Sequence, residues 1–373
     1  MLKTLKVYLY PTKKQENKML TFCHTSRFVY NWALTKKREM YEKEGVTLKL
    51  QDLITDLQIL KSEEKYMWLK DTAEAVTKQA IKDLFIAYTN FFKQGRGYPR
   101  YKSRKRAKLS FYQRTDKLKI YGNTIVITGI GRVKIKKCTK LPSKPKNPRV
   151  LFDGKYWYLS LAYELEEHKV ELTEKIIGID IGIKDLAIRS DGVVVPNINK
   201  TSKVKKLEKK LKRLKRKVSN KYEENKKRGG SYNKSKNIIK VEKRIRLIHR
   251  RLNNIRVNHL HNATSAIVKT KPCRVVVEDL NISGMMKNRN LARAIANQGL
   301  YRFQIFLEYK CNFDNIEFIK ADRWFPSSKL CSCCGNKKTK LSLSERIYIC
   351  DVCGMIKDRD LNSAINLSKY AIV

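Results

Sequence analysis

The sequence is short of acidic side chains: its 373 residues hold 35 Asp and Glu against 82 Lys and Arg, a formal charge of +47. A deficit this large makes a compact chain repel itself unless a polyanion or counterions neutralise it. It argues against an ordinary metabolic enzyme or a cytosolic scaffold and makes nucleic acid the expected partner. No run of about 18 apolar residues occurs, so no membrane-spanning helix is expected. The opening MLKTLKVYLYPTKKQ has no apolar core of the kind a secretory signal carries. The basic residues are spread along the chain rather than gathered in one amphipathic stretch, which disfavours an anionic membrane surface. Histidine is scarce, at five residues, and forms no catalytic pattern. His259 and His261 are two apart and face away from each other on a helix, while His24, His168 and His249 sit in no motif. Beyond the paired heptads described below there is no long internal repeat, and there is no low-complexity linker.

What is present is enough for folded domains. The chain length corresponds to two or three of them, and 42% hydrophobic with 9% aromatic residues argues against wholesale disorder. Residues 3–10, KTLKVYLY, alternate as a half-buried strand does and end at Pro11. Thr12 and Gln15 have capping-box spacing, which predicts a helix to about Gly45 and a second from Leu48 to Phe92. Between 109 and 165 the period becomes two: LSFYQ, LKIYG, NTIVIT and RVKIKK read as short strands, and RVLFDGKYWYLSLAYE as a hairpin turning at Asp153-Gly154. That region reads as a small β-barrel or curled sheet, joined by the isolated first strand. IIGIDIG and LAIRSDGVVV follow as apolar strands with a turn at Asp191-Gly192. Val204, Leu207, Leu211, Leu214 and Val218 then step 3, 4, 3, 4, as do Ile238, Val241, Ile245, Ile248, Leu252 and Ile255, which predicts two antiparallel helices with a coiled-coil seam. CRVVVEDL is another buried strand, a helix is expected from about Leu291 to Lys310, NIEFIKAD returns as a strand, and DLNSAINLSKYA closes the chain as a helix.

Two stretches concentrate the charge. Residues 93–108 carry eight basic side chains and no acid, with Tyr98 and Tyr101 interleaved, which reads as a surface for phosphates and stacked bases. Residues 203–217 carry ten basic side chains against one acid, Glu208, and call for an anion beside them.

Five of the nine cysteines fall between Cys331 and Cys353. Cys331 and Cys334 form one C-x2-C pair, and Cys350 and Cys353 form another after 15 residues. Each pair is followed by a glycine, Gly335 or Gly354, which suits a tight knuckle. In a reducing compartment this spacing predicts a closed structural zinc site, with no open position for catalysis. Cys333 is an extra thiol; spacing favours Cys334 over it. The site would supply folding energy and present Lys337, Lys338 and Lys340.

Three acids stand out against the basic background. Asp180 interrupts the apolar strand IIGIDIG, Glu278 ends VVVE, and Asp360 opens the final helix. A carboxylate on a buried strand is unfavourable unless a cation meets it. Together the three can hold Mg²⁺ or Mn²⁺; two such ions about 3.5–4 Å apart would activate water and stabilise the leaving 3′-oxygen of a phosphodiester. Each acid alone has an ordinary reading: Asp358 or Asp360 as a helix N-cap, Glu278 as the partner of an arginine. The order of elements joins them. Strand, turn, strand, helical insertion, apolar strand ending in Glu and a helix opened by Asp is the order of an RNase H-like nuclease.

At this point the residues resemble the TnpB family, RNA-guided nucleases carried by small insertion sequences and related to type V CRISPR effectors. The matching pieces are LYPTKKQ, RFVYNWAL, GYPRYKSRKR, GIDIGIKDLA, VVVEDLNISGM, RWFPSSKLCSCCG and CDVCGMIKDRDLNSAINL, in family order over nearly the whole chain. Ser363 stands where alanine is usual, and Cys333 is additional.

The resemblance implies an α+β multidomain chain. Its parts would be a β-barrel (wedge) from 1–10 and 109–170, a helical recognition domain from 11–108, an RNase H-like (RuvC) mixed α/β nuclease domain from 171–327 and 355–373 with a basic helical hairpin at 200–270, and a zinc ribbon inserted at 328–354. It implies catalytic Asp180, Glu278 and Asp360 on Mg²⁺ or Mn²⁺, with structural Zn²⁺ on Cys331, Cys334, Cys350 and Cys353. The implied partners are a transposon-encoded guide RNA and target double-stranded DNA, in a prokaryotic cytoplasm at the nucleoid. Base pairing would supply most of the sequence specificity and protein would read a short flanking motif. Two rivals remain at this level: a guided DNA-binding regulator that never cuts, expected to lack one of the three carboxylates, and a DNA transposase, expected to join strands without RNA. A ribosome-associated zinc-ribbon protein explains the charge and cysteines but not acids on apolar strands.

Overall fold

The computed structural model describes all residues except 1, 105–106, 137–141, 143, 165–169, 228–233, 343 and 371–373. Lys105 and Arg106 of the basic loop, Lys137 of RVKIKK and His168 therefore lie outside the described residues. The chain divides into two compact units, 1–166 and 167–373.

In the first unit, β1 (Leu2–Tyr10) ends at Pro11 and the capping box forms as expected. Thr12 Oγ1 accepts from the Gln15 amide at 3.3 Å and Gln15 Oε1 accepts from the Thr12 amide at 3.0 Å. The helix α1 (Lys13–Glu44) stops at Gly45, which takes the left-handed conformation that glycine alone adopts freely. The expected second helix is instead three pieces: α2 (Leu50–Ser62), a 3-10 stretch Glu64–Asp71, and α3 (Glu74–Gln94). No proline or glycine marks the break. Tertiary contacts make it: Leu69 is fully buried, Thr72 is extended with its hydroxyl 2.9 Å from that of Thr25, and Trp68 packs edge-on against Phe28. Local propensity favours continuous helix, and packing overrides it.

The strands that follow are β2 (Ser110–Tyr112), β3 (Ile120–Tyr121), β4 (Thr124–Ile127), β5 (Gly131–Ile135), β6 (Lys146–Phe152) and β7 (Trp157–Glu164). With β1 they form one antiparallel sheet in the order β2-β6-β7-β1-β5-β4-β3. Among the described residues its end strands β2 and β3 are not bonded to each other. The β6–β7 turn is the one read from Asp153-Gly154, with Gly154 at φ +96° and Asp153 Oδ1 accepting from the Lys155 and Tyr156 amides. One core lies between the sheet and the start of α1, around Phe22, Phe111 and Leu159. Another lies among α1, α2 and α3, around Leu34, Leu57 and Leu84.

The second unit opens with β8 (Thr173–Ile181), β9 (Asp185–Arg189) and β10 (Val194–Pro196), then the hairpin α4 (Ser202–Lys227) and α5 (Lys236–Val268). Val204, Leu211, Ile248 and Leu252 form its buried seam, as the heptads predict. β11 (Pro272–Glu278), the single-turn α6 (Ile282–Met285), α7 (Arg289–Gln298), α8 (Leu300–Phe313) and β12 (Glu317–Ala321) follow. The helix expected from 291 to 310 is thus two, broken where Gly299 takes φ +74°. Last come the hairpin β13 (Ile347–Ile349) and β14 (Ile356–Asp358), and α9 (Arg359–Ser368).

Five strands form a mixed sheet in the order β10-β9-β8-β11-β12, with β8, β11 and β12 parallel. Strand alternation sorts its two faces. Ile177, Ile179, Ile181, Val275 and Val277 enter the core made with Leu260 and Ile267 of α5 and Phe303 and Leu307 of α8. Val276 belongs to the other face, where it packs with Leu367 of α9. Asp180 and Glu278 share the parity of Gly178 and Val276, so the sheet turns both acids toward the face that α9 covers. No helix among the described residues is long and apolar enough to cross a membrane.

Candidate active site and metal-binding cluster

The three acids singled out in the sequence line one cavity of about 510 Å³ within the second unit. Strand register brings two of them together: β8 and β11 run parallel with Ile179 opposite Val277, so Asp180 and Glu278 follow on neighbouring strands. Asp360 arrives from the first turn of α9. Its approach depends on Gly178, where a β-carbon would lie 2.0 Å from the Ala364 carbonyl oxygen and 2.3 Å from the Ser368 nitrogen. Glycine lets the backbone of α9 rest on the strand. The N-cap is Asp358, whose carboxylate accepts from the Asp360 and Leu361 amides at 3.0 and 3.1 Å. Asp360 is thereby released from capping and lies 3.4 Å from Arg359 Nε and 3.9 Å from Arg346 Nη1.

The alternative reading of Glu278, an arginine's partner, belongs to its neighbour: Asp279 pairs with Arg323 at 2.8 Å. Glu278 Oε1 instead accepts from Ser327 Oγ at 2.5 Å, with Ser363 Oγ 3.4 Å away. Its main-chain oxygen accepts from Gln304 Nε2 at 3.0 Å. Burial, then the charges of Glu278 and Asp360, push the Asp180 carboxyl well above the ordinary carboxylate range. A buried acid held against two others is unfavourable in its charged form, and a hard cation bound by their oxygens relieves it. The oxygen donors are of the type a divalent oxygen-seeking ion takes, although the three carboxylates line the cavity without all lying within 4.8 Å of one another.

Residues that local sequence pattern does not single out also line this cavity, Asp185 of β9 and the cations Lys184, Lys329, Arg346 and Arg359, and Ser327 bonds to Glu278 outside its lining. Ser327 lies within the quoted RWFPSS segment, but nothing in its local pattern indicates a partner 49 residues away. None of the described histidines lines the cavity. His259 meets the Pro196 carbonyl at 2.9 Å and His261 stacks on Phe306.

The four cysteines are the group of metal-ligating side chains, among the described residues, whose ligand atoms all lie within 4.8 Å of one another. Cys331 and Cys353 sulfurs are 3.6 Å apart, as are those of Cys334 and Cys350. Sulfurs at ~2.3 Å from a tetrahedral centre would be roughly 3.8 Å apart, so the spacing fits one ion. Each knuckle closes the same way: Gly335 donates to the Cys331 carbonyl and Gly354 to that of Cys350, both glycines at positive φ. The amides of Cys353 and Val352 pull the Cys350 thiol down to about 6. Against the lowering pull of the Met355 backbone, burial and then the neighbouring sulfurs push Cys353 up to about 12, so the shifts among the four do not all point one way. Cys333 is exposed and stands outside the group.

The two basic stretches differ. On α4, Lys205, Lys209, Lys212 and Lys215 line a cleft of about 710 Å³ with Arg256 and Arg293, and the acid Glu208 is taken by Arg256 at 2.8 Å. In the loop after α3 part of the charge is used within the chain. Lys102 turns inward over the Tyr30 ring at 3.5 Å, and burial lowers its amine. Arg38 lies over both Tyr98 and Tyr101, at 4.9 and 5.3 Å. These side chains dock the loop onto the helices, leaving the tyrosines 41% and 51% exposed.

The class defined by these features is a strongly basic mixed α/β protein with a carboxylate-lined cavity at parallel strand ends and a four-cysteine cluster that could hold a metal ion. Comparison with known proteins identifies its family. Residues 160–289 match the model described as "Probable transposase", residues 301–367 "Cas12f1-like, TNB domain", and residues 1–45 "Helix-turn-helix domain". A Streptomyces pristinaespiralis protein named "Putative RNA-guided DNA endonuclease" is 31% identical over 369 residues, covering 98% of this chain and 88% of its own. InsQ of Escherichia coli K12, carrying the same description, is 30% identical over 382 residues, with 98% and 91% covered. The fold is shared with a chain of the structure titled "Cryo-EM structure of the Cas12f1-sgRNA-target DNA complex", at TM-score 0.52 and 14% identity over 99% of this chain and 98% of that one. The chain belongs to the TnpB-like family of these proteins.

Proposed function

We propose that this chain is an RNA-guided DNA endonuclease of a transposable element and that it hydrolyses DNA phosphodiesters at the cavity of Asp180, Glu278 and Asp360. The observation that carries the reading is the convergence of these acids from two parallel strand ends and one helix start, on the sheet face that α9 covers. The names of the relatives support the same reading. In this proposal the five-stranded sheet with its helices is an RNase H-like (RuvC) domain, 171–327 and 355–373. Residues 200–270 are its basic hairpin and 328–354 its zinc ribbon. Residues 1–10 and 109–170 are the wedge barrel, and 11–108 the recognition helices.

Asp180, Glu278 and Asp360 would hold Mg²⁺ or Mn²⁺, which supplies an activated water and charge stabilisation for the leaving 3′-oxygen. The chain's own residues do the rest. Lys184, Lys329, Arg346 and Arg359 line the cavity and offset the repulsion between its acids and an incoming phosphate. Ser327 and Gln304 hold Glu278 at its side chain and its main chain. The cationic cleft along α4 suits the phosphates of an RNA or heteroduplex backbone, with binding that weakens as salt rises.

The guided part of the reading is tested by purification. The chain expressed with its native flanking sequence is expected to carry a discrete RNA from the transposon end, found by sequencing whatever nucleic acid co-purifies. Recovery of no such RNA would overturn it. The cysteine cluster is proposed to hold zinc. Elemental analysis is expected to find stoichiometric zinc in the wild type and in Cys333→Ala, and its loss in Cys334→Ala; equal zinc in both variants would remove Cys334 from the ligand set.

A further inference from the structure

The segment between β12 and the first cysteine knuckle touches both metal-ligating groups of the second unit. Ser327 is 3% exposed and donates to Glu278 Oε1 at 2.5 Å. Ser363, on α9 and 2% exposed, lies 3.0 Å from the same hydroxyl. These are neutral donors. They fix where the Glu278 carboxylate points without neutralising it, whereas an arginine in that place would compete with a cation for the same oxygens. Arg323, on the same segment as Ser327, is engaged by Asp279, and Arg346 and Arg359 of the cavity lie beside Asp360.

The serine is itself held in place. Asn366 Nδ2 donates to the Ser327 and Leu330 carbonyls at 2.8 and 2.7 Å, and Asn362 Nδ2 donates to the Leu330 carbonyl at 2.6 Å. Asn362 Oδ1 accepts from the Ser332 amide at 2.9 Å, inside the first knuckle, and Lys369 donates to the Ser332 carbonyl at 2.6 Å. Thus the polar side of α9, the helix that delivers Asp360, grips a stretch with Ser327 at one end and Cys331 at the other. These are buried amides making paired bonds to main chain, so the stretch has little freedom to shift independently at its two ends.

We infer that Ser327 is a positioning residue for Glu278, and that the clamp from Ser327 to Cys331 makes cation affinity at the carboxylates depend on an intact cysteine cluster. The inference rests on the proposed role of the carboxylates as metal ligands. Groups that orient ligands without touching the ion typically change metal affinity by about 10–100-fold when removed.

The test uses the full chain, purified with zinc, and Mn²⁺ alone as probe, with free Mn²⁺ followed by electron paramagnetic resonance and folding by circular dichroism. Wild type is expected to bind Mn²⁺ at a site that Asp180→Ala removes. Ser327→Ala, still folded, is expected to bind at that site at least ~10-fold more weakly, and Cys334→Ala to be weakened as well. Wild-type affinity in Ser327→Ala overturns the positioning role. Weakened Ser327→Ala with wild-type affinity in Cys334→Ala overturns the link to the cysteines. If wild type shows no Mn²⁺ binding that depends on Asp180, the carboxylate reading falls, and this inference with it.

Discussion

Asp180→Ala is expected to abolish DNA cleavage while leaving guide RNA bound. Asp180 sits one residue before the end of β8, turned by strand parity away from the apolar core and toward α9, with Glu278 on the next strand. Removing one preorganised electrostatic group from a transition state typically lowers a rate by about 10²–10³-fold, and loss of an acid shared by the cation site is expected to exceed that. The variant should not lose stability. Burial and two neighbouring acids raise the Asp180 carboxyl well above its ordinary value, so its charged form opposes folding when no cation is bound. The sign follows from linkage. Above the ordinary carboxylate range and up to the raised value, the folded chain binds more protons than the unfolded one, so stability falls as pH rises through that window. Asp180→Asn, which cannot titrate, should flatten this slope in metal-free buffer, measured by thermal melts across pH. Wild-type cutting by purified Asp180→Ala with its guide would sink the assignment.

How much of this was legible beforehand varies with the range of the contacts. The hairpin seam was readable because Val204, Leu211, Ile248 and Leu252 repeat at coiled-coil spacing, a property of each helix alone. The Asp153-Gly154 turn and the Thr12 capping box are likewise local. The four cysteines were legible from spacing because two knuckles of the same geometry need only a short separation to meet. The breaks between α2 and α3 were not legible. No residue there disfavours helix strongly, and what ends it is the burial of Leu69 and the Thr25–Thr72 contact, 47 residues apart. At Gly299 the signal was present, but one glycine within a helical pattern is commonly tolerated. The carboxylates were found through strand ends and element order. Ser327 was hidden because a serine beside a proline carries no record of a distant glutamate.

Tyr98 and Tyr101 show how one composition can serve two purposes. Aromatics interleaved with cations do suit bases and phosphates, yet the same composition serves intramolecular docking. Arg38 over the two rings, and Lys102 over Tyr30, use the attraction within the chain. The α4 run differs, since its cations at 205, 209, 212 and 215 line one cleft and the one acid among them, Glu208, is already paired.

Gly178→Ala is expected to damage both stability and cleavage, although the residue touches no substrate. Its added methyl would meet Ala364 oxygen at 2.0 Å, Ser368 nitrogen at 2.3 Å and Leu367 carbon at 2.9 Å, all backbone atoms of α9. No side chain can rotate away to make room, so either β8 or α9 must move. Overpacking typically costs about 1–3 kcal/mol, and a backbone obstacle puts this case at the upper end or beyond. For a unit of this size, ~3 kcal/mol lowers the melting temperature by roughly 6–12 °C. Gly97→Ala is the control, since its methyl would enter open space at ordinary φ, and a change within about 0.5 kcal/mol is expected there. The functional loss follows from the same displacement. α9 carries Asp360 in its first turn and Asn362 and Asn366 on its polar side, so a helix pushed off the strand moves an acid away from Asp180 and loosens the serine that holds Glu278. Cleavage should therefore fall in Gly178→Ala even at temperatures where the unit remains folded, while RNA binding persists. A melting temperature and cleavage rate both equal to wild type would mean that α9 does not rest on β8 at Gly178, and the convergence of the three acids would lose its structural basis.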